Sequence, residues 1–490
     1  MITISSIVRN ALLGGIIFSF ATAALAGPVF QPPGVNLVLG DVTHGQRTQS
    51  ASTNPAAAAA DVARDMEKMT RSTVISGSGG LEYGNVQNLF EYYDEVTKGY
   101  VPSDPGGDGP ANLPEDGGID LGVIWDSLNP DFQATVTAAA RQVATQAALL
   151  AIIRQEAYAK AWLAVDAPFV LGGEYLGGTW TFDVNWSGTS KAYGVPQAII
   201  DFDQDAAREA LEDWWNQLPS DRPVQLPVND GVLLRIDPVT NAIRFAINND
   251  SSLLTKASQT TELNVGYSRH AWSNSAGSLY LGAEASLYLM RLSRLSVRFG
   301  DITDSEELFD TIRDSSFRND ERLGVDIGAL WVGDNYQVGA QVTNVNEPKF
   351  TFPDVDLDPY TNEGFIDILR RDKIYRMDRQ FKLEASLFTS DRRWSTNLGL
   401  DADPATDPMG DKYQWVTLSA GLARDSWWLP GARIGYRENL TGTRMKYVGI
   451  GVTAFKIVNF DISSTLDTVK IDGQKLPQGL MASIGFQLSW

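Results

Sequence analysis

The chain closes with Gln478-Gly479-Leu480-Met481-Ala482-Ser483-Ile484-Gly485-Phe486-Gln487-Leu488-Ser489-Trp490. From Leu480 onward every second residue is apolar, and the positions between hold Met481, Ser483, Gly485, Gln487 and Ser489. Successive side chains of a strand point to opposite faces, so this period of two gives one apolar face and one small or polar face. Two architectures use such a strand. A soluble sandwich buries the apolar face against a second sheet, and a membrane barrel turns it toward lipid. The upstream sequence decides between them.

The same alternation recurs after Pro168. It is found at Thr179 to Trp186, at Leu263/Val265/Tyr267, at Leu279/Leu281/Ala283/Ala285/Leu287/Leu289, at Leu295/Val297/Phe299 and at Leu323/Val325/Ile327/Ala329. It continues through Tyr336/Val338/Ala340/Val342, Phe381/Leu383/Ala385/Leu387, Trp394/Leu398/Leu400, Val416/Leu418/Ala420/Leu422, Ala432/Ile434/Tyr436, Val448/Ile450/Val452/Ala454 and Val458/Phe460/Ile462. The opposite faces carry Asp326, Gln341, Lys382, Glu384, Asn397, Asp401, Arg433, Arg437, Asn459 and Asp461, which cannot meet lipid. Segments of about ten residues match a tilted crossing of the hydrocarbon layer. Aromatics recur near segment ends, as interfacial girdles require: Trp272, Trp331, Tyr336, Trp394, Tyr413, Trp415, Trp427, Trp428, Tyr447 and Trp490. With further strands expected near Lys191 to Ile200, Val232 to Asp237 and Ile243 to Asn248, the reading is an all-β transmembrane fold. It is an antiparallel outer-membrane β-barrel of about 14 strands spanning residues 169–490. Helix-like text at Asp205 to Gln217 and Asp304 to Arg313, and a long loop from Asn346 to Met377, interrupt it.

The N-terminal part reads differently. Residues 1–26 have the form of an export signal: Arg9, an apolar run from Ala11 to Ala21, and the small-x-small site Ala24-Leu25-Ala26. That run is too short for a spanning helix. Residues 27–168 are expected to form a plug segment and a helical region. Asn54 and Pro55 cap and start an alanine helix, and a longer helix is expected over Asp131 to Val165. Gly34 to Ala60 is expected inside the barrel, with Asp326, Lys382, Glu384 and Arg433 as hydrogen-bond partners. A separate soluble helical domain is the alternative for the helical region.

Composition excludes several chemistries. The 490 residues hold 60 acidic against 40 basic side chains, which argues against a nucleic-acid surface. The absence of cysteine removes disulfides, thiolate catalysis and most zinc chemistry. Of the two histidines, His270 stands among serines in a way that permits a Ser–His pair, but a strand-end position at the membrane interface explains it without chemistry. His44 lies in a Ser/Thr/Gln-rich stretch. Asp354-Val355-Asp356-Leu357-Asp358 begins like a calcium loop, yet Pro359 replaces the turn glycine and Phe365 the closing glutamate. No catalytic residue, metal ligand or cofactor is expected, and the reading is not an enzyme.

The closing strand resembles the last strand of bacterial outer-membrane barrels, which typically end on Phe or Trp. The resemblance implies that Phe486, Leu488 and Trp490 are read by the barrel-assembly machinery. The small-residue stretch leading to Asn54-Pro55-Ala56 resembles the FadL and PorV group, where such a segment is tucked inside the barrel. Gly333-Asp334-Asn335-Tyr336-Gln337-Val338-Gly339, Val342-Thr343-Asn344-Val345, Arg393-Trp394 through Asp401, Tyr413-Gln414-Trp415, and Ala432 through Asn439 resemble the TraF-like group named from plasmid conjugal-transfer operons. That group is similar to FadL-type barrels. It implies an outer-membrane component acting with envelope or conjugation proteins; the FadL likeness implies the alternative, a transporter or channel for hydrophobic small molecules.

Overall fold

The computed structural model describes residues 33–44, 52–64, 71–84, 158–197, 225–229, 232–236, 243–247, 250–298, 301, 311–312, 315–371, 373–424, 426–471 and 474–489. The expected export signal, the stretch 131–157, the helix-like text at 205–217, most of that at 304–313, and Trp490 lie outside them.

Fourteen antiparallel strands close into a barrel in chain order. They are β1 (Arg71–Tyr83), β2 (Tyr158–Tyr175), β3 (Gly178–Val195), β4 (Ser252–Asn274), β5 (Gly277–Arg298), β6 (Phe317–Val332) and β7 (Tyr336–Thr343). After these come β8 (Gln380–Phe388), β9 (Trp394–Asp401), β10 (Trp415–Leu422), β11 (Gly431–Asn439), β12 (Lys446–Ala454), β13 (Val458–Thr465) and β14 (Gly479–Ser489). Closure comes from β14 against β1, with Ile75 opposite Phe486 and Thr73 opposite Leu488. The barrel sheet has no unpaired edge, which is the condition for strands in lipid.

The outward face settles the choice left open by periodicity. Val184, Leu263, Leu281, Ile327, Val338, Leu383, Leu398, Leu418, Ile434, Ile450, Ile462, Ile484 and Ile75 are all exposed, in a band that runs around the wall. An apolar belt of this extent has no second sheet over it and belongs in hydrocarbon. Short turns gather at the end where β14 finishes: Leu176-Gly177, Ser275-Ala276, Gly333 to Asn335 and Phe455-Lys456. The long connections lie at the other end, as in outer-membrane barrels with periplasmic turns and external loops.

Several expectations are corrected. The barrel begins at Arg71 and not after Pro168, because β1 and the first part of β2 occupy text read as helical. In β1 the outward positions are Thr73, Ile75, Gly77, Gly79 and Leu81, so glycine thins the apolar signal. In β2 the outward series Leu163/Val165/Ala167/Phe169/Leu171 does alternate, but the alanines before it and Pro168 within it read as a helix and its break. The stretches Val232–Ile236 and Ile243–Ile247 are not barrel strands. They join Gln225–Asn229 in a separate three-stranded sheet. Leu295 and Val297 continue β5 and do not form a strand of their own, and Lys191–Val195 likewise continues β3. The number fourteen is therefore reached by a different set of segments.

The aromatics divide. Trp272, Trp331, Tyr336, Trp394, Trp427 and Trp428 ring the short-turn end, where Trp272 packs on Trp331 at 5.7 Å and Trp331 Nε1 donates to the Tyr336 hydroxyl at 3.1 Å. Tyr413, Trp415 and Tyr447 are buried inside the wall with Leu37, Tyr158, Trp162, Met445 and Met481. They are not a girdle. Trp415 and Tyr447 have the parity opposite to Val416 and Val448, which turns them into the lumen.

Candidate functional site: a plugged and capped lumen

Two short helices from the N-terminal segment lie within the barrel: α1 (Asn36–Leu39) and α2 (Ala57–Arg64). Their backbones come close to the wall because the inward positions there are glycine. A Cβ at Gly435 would collide with the Val38 carbonyl, one at Gly282 with the Pro55 carbonyl, and one at Gly328 with the Asn54 side chain. Wall hydroxyls meet the backbone polar groups that α1 and α2 leave unpaired. Ser483 Oγ accepts from Gly34 N at 2.7 Å, Ser419 Oγ donates to Leu39 O at 2.8 Å, and Ser268 Oγ accepts from Ala59 N at 3.0 Å. A polar group buried without a partner would cost about 1–3 kcal/mol, so these contacts decide whether the segment can stay inside.

Asn54, Pro55 and Ala56 are fixed by this arrangement. Asn54 Oδ1 accepts from Ala56 N at 3.0 Å, as an N-cap does, and its Nδ2 donates to Glu384 Oε1 at 2.8 Å. Glu384 of β8 also accepts from Thr43 Oγ1 at 2.8 Å and from Thr43 N. Lys382, two residues earlier on the same face, holds Asp41 at 2.5 Å. The other two expected partners do something else. Arg433 forms a two-pronged pair with Asp461 at 2.5 and 2.6 Å within the wall, and Asp326 accepts from Asn344 N at 2.7 Å at the base of a loop.

The opposite end is capped by loops. A small hairpin between β9 and β10 (Ala405–Thr406 with Lys412–Tyr413) carries Asp407 and Asp411 half the barrel circumference away from its own strands. There Lys160 of β2 donates to Asp411 at 2.9 Å and to Asp407, and Lys191 of β3 donates to Asp411. Both lysines also lie over tyrosine rings, Lys160 at 4.9 Å from Tyr413 and Lys191 at 4.6 Å from Tyr158. Burial raises the Asp407 carboxyl against the pull of Lys160. Burial works on Asp411 in the same direction, but the two ammonium groups outweigh it and hold that carboxyl below the ordinary range. A second loop, between β7 and β8, contains α3 (Glu363–Arg371) and packs Tyr360, Phe365 and Leu369 on Leu254. Asp250 accepts from Thr361 N at 2.9 Å and from Asn362 N at 2.6 Å, and Arg294 donates to Leu369 O at 2.7 Å.

Between plug and cap remains a chamber of about 200 Å³. Among the described residues seven carboxylates line it and two cations, Lys382 and Arg437. The acidic wall is formed by Asp166 on β2 and, beyond β3, by Glu262, Glu284 and Asp326 on the consecutive strands β4, β5 and β6.

The remaining candidates stay apart from the chamber. His270 is exposed at the short-turn end, 2.5 Å from Ser273 Oγ, with Ser278 Oγ 2.8 Å beyond; no carboxylate contact orients the ring among the described residues. His44 is buried in the plug, 3.3 Å from Asn36 Oδ1. Asp354 pairs with Lys373 at 2.6 Å and Asp356 with the Asp358 backbone, so the three aspartates do not converge. Phe486 and Leu488 are exposed on the outer face of β14.

The sequence model of the family described as "F plasmid transfer operon, TraF, protein" matches residues 51–401. The chain belongs to this family. The TraF match takes in Asn54-Pro55-Ala56 and the stretches from Gly333 to Asp401, but stops short of Tyr413-Gln414-Trp415 and Ala432 to Asn439. No curated protein sequence matches the chain. Among solved structures it is similar to a "TodX deltaS2S3 mutant monoaromatic hydrocarbon channel" at 9% identity and TM-score 0.38, covering 90% of this chain and 93% of that one. A second TodX channel mutant aligns at 10% identity and TM-score 0.36, covering 94% and 98%. A triple mutant of the Rhodopseudomonas blastica porin aligns at 11% identity and TM-score 0.24, covering 86% and 100%.

Proposed function

We propose that this TraF-family outer-membrane barrel is a closed, non-enzymatic envelope component that acts through protein partners, in the setting of plasmid transfer. The observation that carries this reading is the doubly closed lumen. The plug fills it from the short-turn end and two loops cap the other. An apolar cargo would have to pass a wall of Asp166, Glu262, Glu284 and Asp326, where desolvating charge opposes entry. This favours the partner reading over a channel for hydrophobic molecules. The assembly-signal role of Phe486, Leu488 and Trp490 belongs to the same proposal.

The test is a deletion in a conjugating donor. Transfer frequency is expected to fall while uptake of toluene is unchanged; unchanged transfer with lost toluene uptake would overturn the reading. In planar bilayers the intact protein is expected to show little conductance, and steady porin-like currents would contradict a closed lumen.

A further inference from the structure

The cap rests on a row of like charges. On the inward face of four adjacent strands Lys160 of β2 stands opposite Lys191 of β3, Lys191 opposite Lys256 of β4, and Lys256 opposite Arg294 of β5. Like charges directly opposite one another on a sheet face are destabilising, and here three such pairs follow in succession. Lys160, Lys256 and Arg294 are buried, so salt in the medium screens them little. Glu82 of β1 continues the row beside Lys160, but it accepts from the Tyr158 hydroxyl at 2.6 Å. Asp166 and Glu262 lie six residues further along β2 and β4, about 20 Å down the strand.

Two anions reach this collar from the cap instead. The Asp411 carboxylate is shared by Lys160 and Lys191, and Asp407 takes a second contact from Lys160. Further along the row Lys256 lies 5.3 Å from the Phe352 ring and Arg294 donates to the Leu369 carbonyl at 2.7 Å. Both aspartates are presented by a turn that holds its own shape: Asp407 N donates to Asp411 O at 2.9 Å and Asp411 N to Asp407 Oδ1 at 2.8 Å. The same hairpin lines the chamber through Ala405, Thr406 and Tyr413, so the piece that fills the collar is also the chamber's roof.

We propose that the collar is the docking site for an acidic segment of a protein partner, which Asp407 and Asp411 occupy in the resting state. Exchange of the hairpin for the partner's carboxylates would lift the roof, which makes the cap an autoinhibitory contact. The chemistry of the occupant follows from what is seated there, two carboxylates on a tight turn. Lipid phosphates do not reach an inward face, and a nucleic acid would meet a chain with 60 acidic against 40 basic side chains. The site rests on the partner reading for the source of its ligand, but the two fail separately. Transfer frequency tests the reading, and a synthetic peptide on the purified protein tests the site.

The chain has no cysteine, and Met409 at the tip of the hairpin is 2% exposed, so Met409→Cys in the full-length protein reports lifting of the roof. In detergent, hexa-aspartate is expected to speed maleimide labelling saturably, by about tenfold, while hexa-asparagine and sodium chloride at matched ionic strength do not. Lys256→Met, which leaves the contacts of Lys160 and Lys191 to the hairpin in place, should raise the peptide concentration for half effect about tenfold. Should Met409→Cys fail the heat-modifiable migration of a folded barrel, the rate at which subtilisin cuts the 402–414 loop of the unaltered protein reads the same exchange. No acceleration by hexa-aspartate, equal acceleration by hexa-asparagine or by salt, or an unchanged half effect in Lys256→Met would overturn the proposal. Acceleration by a thymidine decanucleotide as strong as by the peptide would overturn it in favour of nucleic acid.

Discussion

The two halves of the barrel wall are built to different lengths. Strands β7 to β14 have between 8 and 11 residues, about what a tilted strand needs to cross the hydrocarbon layer. Strands β2 to β6 have 18, 18, 23, 22 and 16 residues and rise well past it. The short half therefore reaches the mouth of the barrel early, and its loops lean across onto the tall half. Asp411 on Lys160 and Lys191, and Leu369 on Arg294, are where they land. The asymmetry makes a cap out of ordinary surface loops: a uniform wall would offer them no opposite surface to rest on.

The largest effect is expected from removing what the wall encloses. Deleting residues 34–64 takes away the contacts to Glu384, Lys382, Ser419 and Ser483 while leaving every strand in place. Conductance in planar bilayers should rise from near baseline to discrete open-channel steps. If the cap alone seals the lumen, conductance will stay low, and the division of labour between plug and loops drawn above fails.

Breaking the cap comes next. Lys160 is buried between Asp407 and Asp411, so Lys160→Met strands the Asp407 carboxylate away from water and leaves Asp411 to Lys191 alone. Removing one partner of a buried pair costs about 3–5 kcal/mol. The loss should appear as proteolytic access to the 402–414 loop and a lower unfolding temperature, whereas Arg370→Met, at an exposed pair on α3, should change neither.

The wall itself distinguishes the halves by how each treats charge on the outer face. Ile450, midway along β12 and 58% exposed, faces the middle of the lipid, and Ile450→Arg should cost about 2–4 kcal/mol. The tall half already carries an arginine at outward parity, Arg291 on β5, beyond the apolar series that ends at Leu289. Arg291→Leu should alter stability by about 1 kcal/mol or less, through its contacts with Gln259 and Phe317 alone. Equal costs at the two positions would show that the tall half does not leave the membrane where the residue pattern says it does.

This is also where the sequence was easiest and hardest to read. In β7 to β14 one face meets lipid and the other a polar lumen, so alternation is clean and each strand is visible from Tyr336 onward. In β5 the inward face turns apolar beyond the membrane, with Met290 and Leu292 packed on Phe350 and Phe352. Alternation breaks there, and one strand reads as two. The inward turn of Trp415 and Tyr447 was legible from parity and was overridden by the expectation of a girdle. Glu384 and Lys382 were found as partners of the plug because they share a face with it. The cap was not legible, since Lys160 lies in alanine-rich text and its partners Asp407 and Asp411 are separated from it by more than 240 positions.

The smallest effect concerns how firmly the plug sits. Asp61 of α2 is buried at the short-turn end, and burial pushes its carboxyl up to about 6, opposed by Arg64 and Arg392 and reinforced by Glu384. Among the described residues its one salt-bridge partner is Arg64 at 3.4 Å. In a released plug the group would return to the ordinary value of about 3.9. The docked state thus holds the proton more tightly, and its advantage is complete below about pH 4, is lost as pH rises to about 6, and is level above that. Docking should therefore loosen between those two values, by at most about 3 kcal/mol for a shift of this size. Labelling of a cysteine placed at Ser52, at pH 4.5 and pH 7.5, measures it: faster labelling is expected at the higher pH after correction for thiolate reactivity. In Asp61→Asn the difference should vanish, with docking at pH 7.5 as tight as the wild type at pH 4.5. A variant that keeps the full pH dependence would assign the titration to another group facing the plug, with Glu384 the first to replace by glutamine.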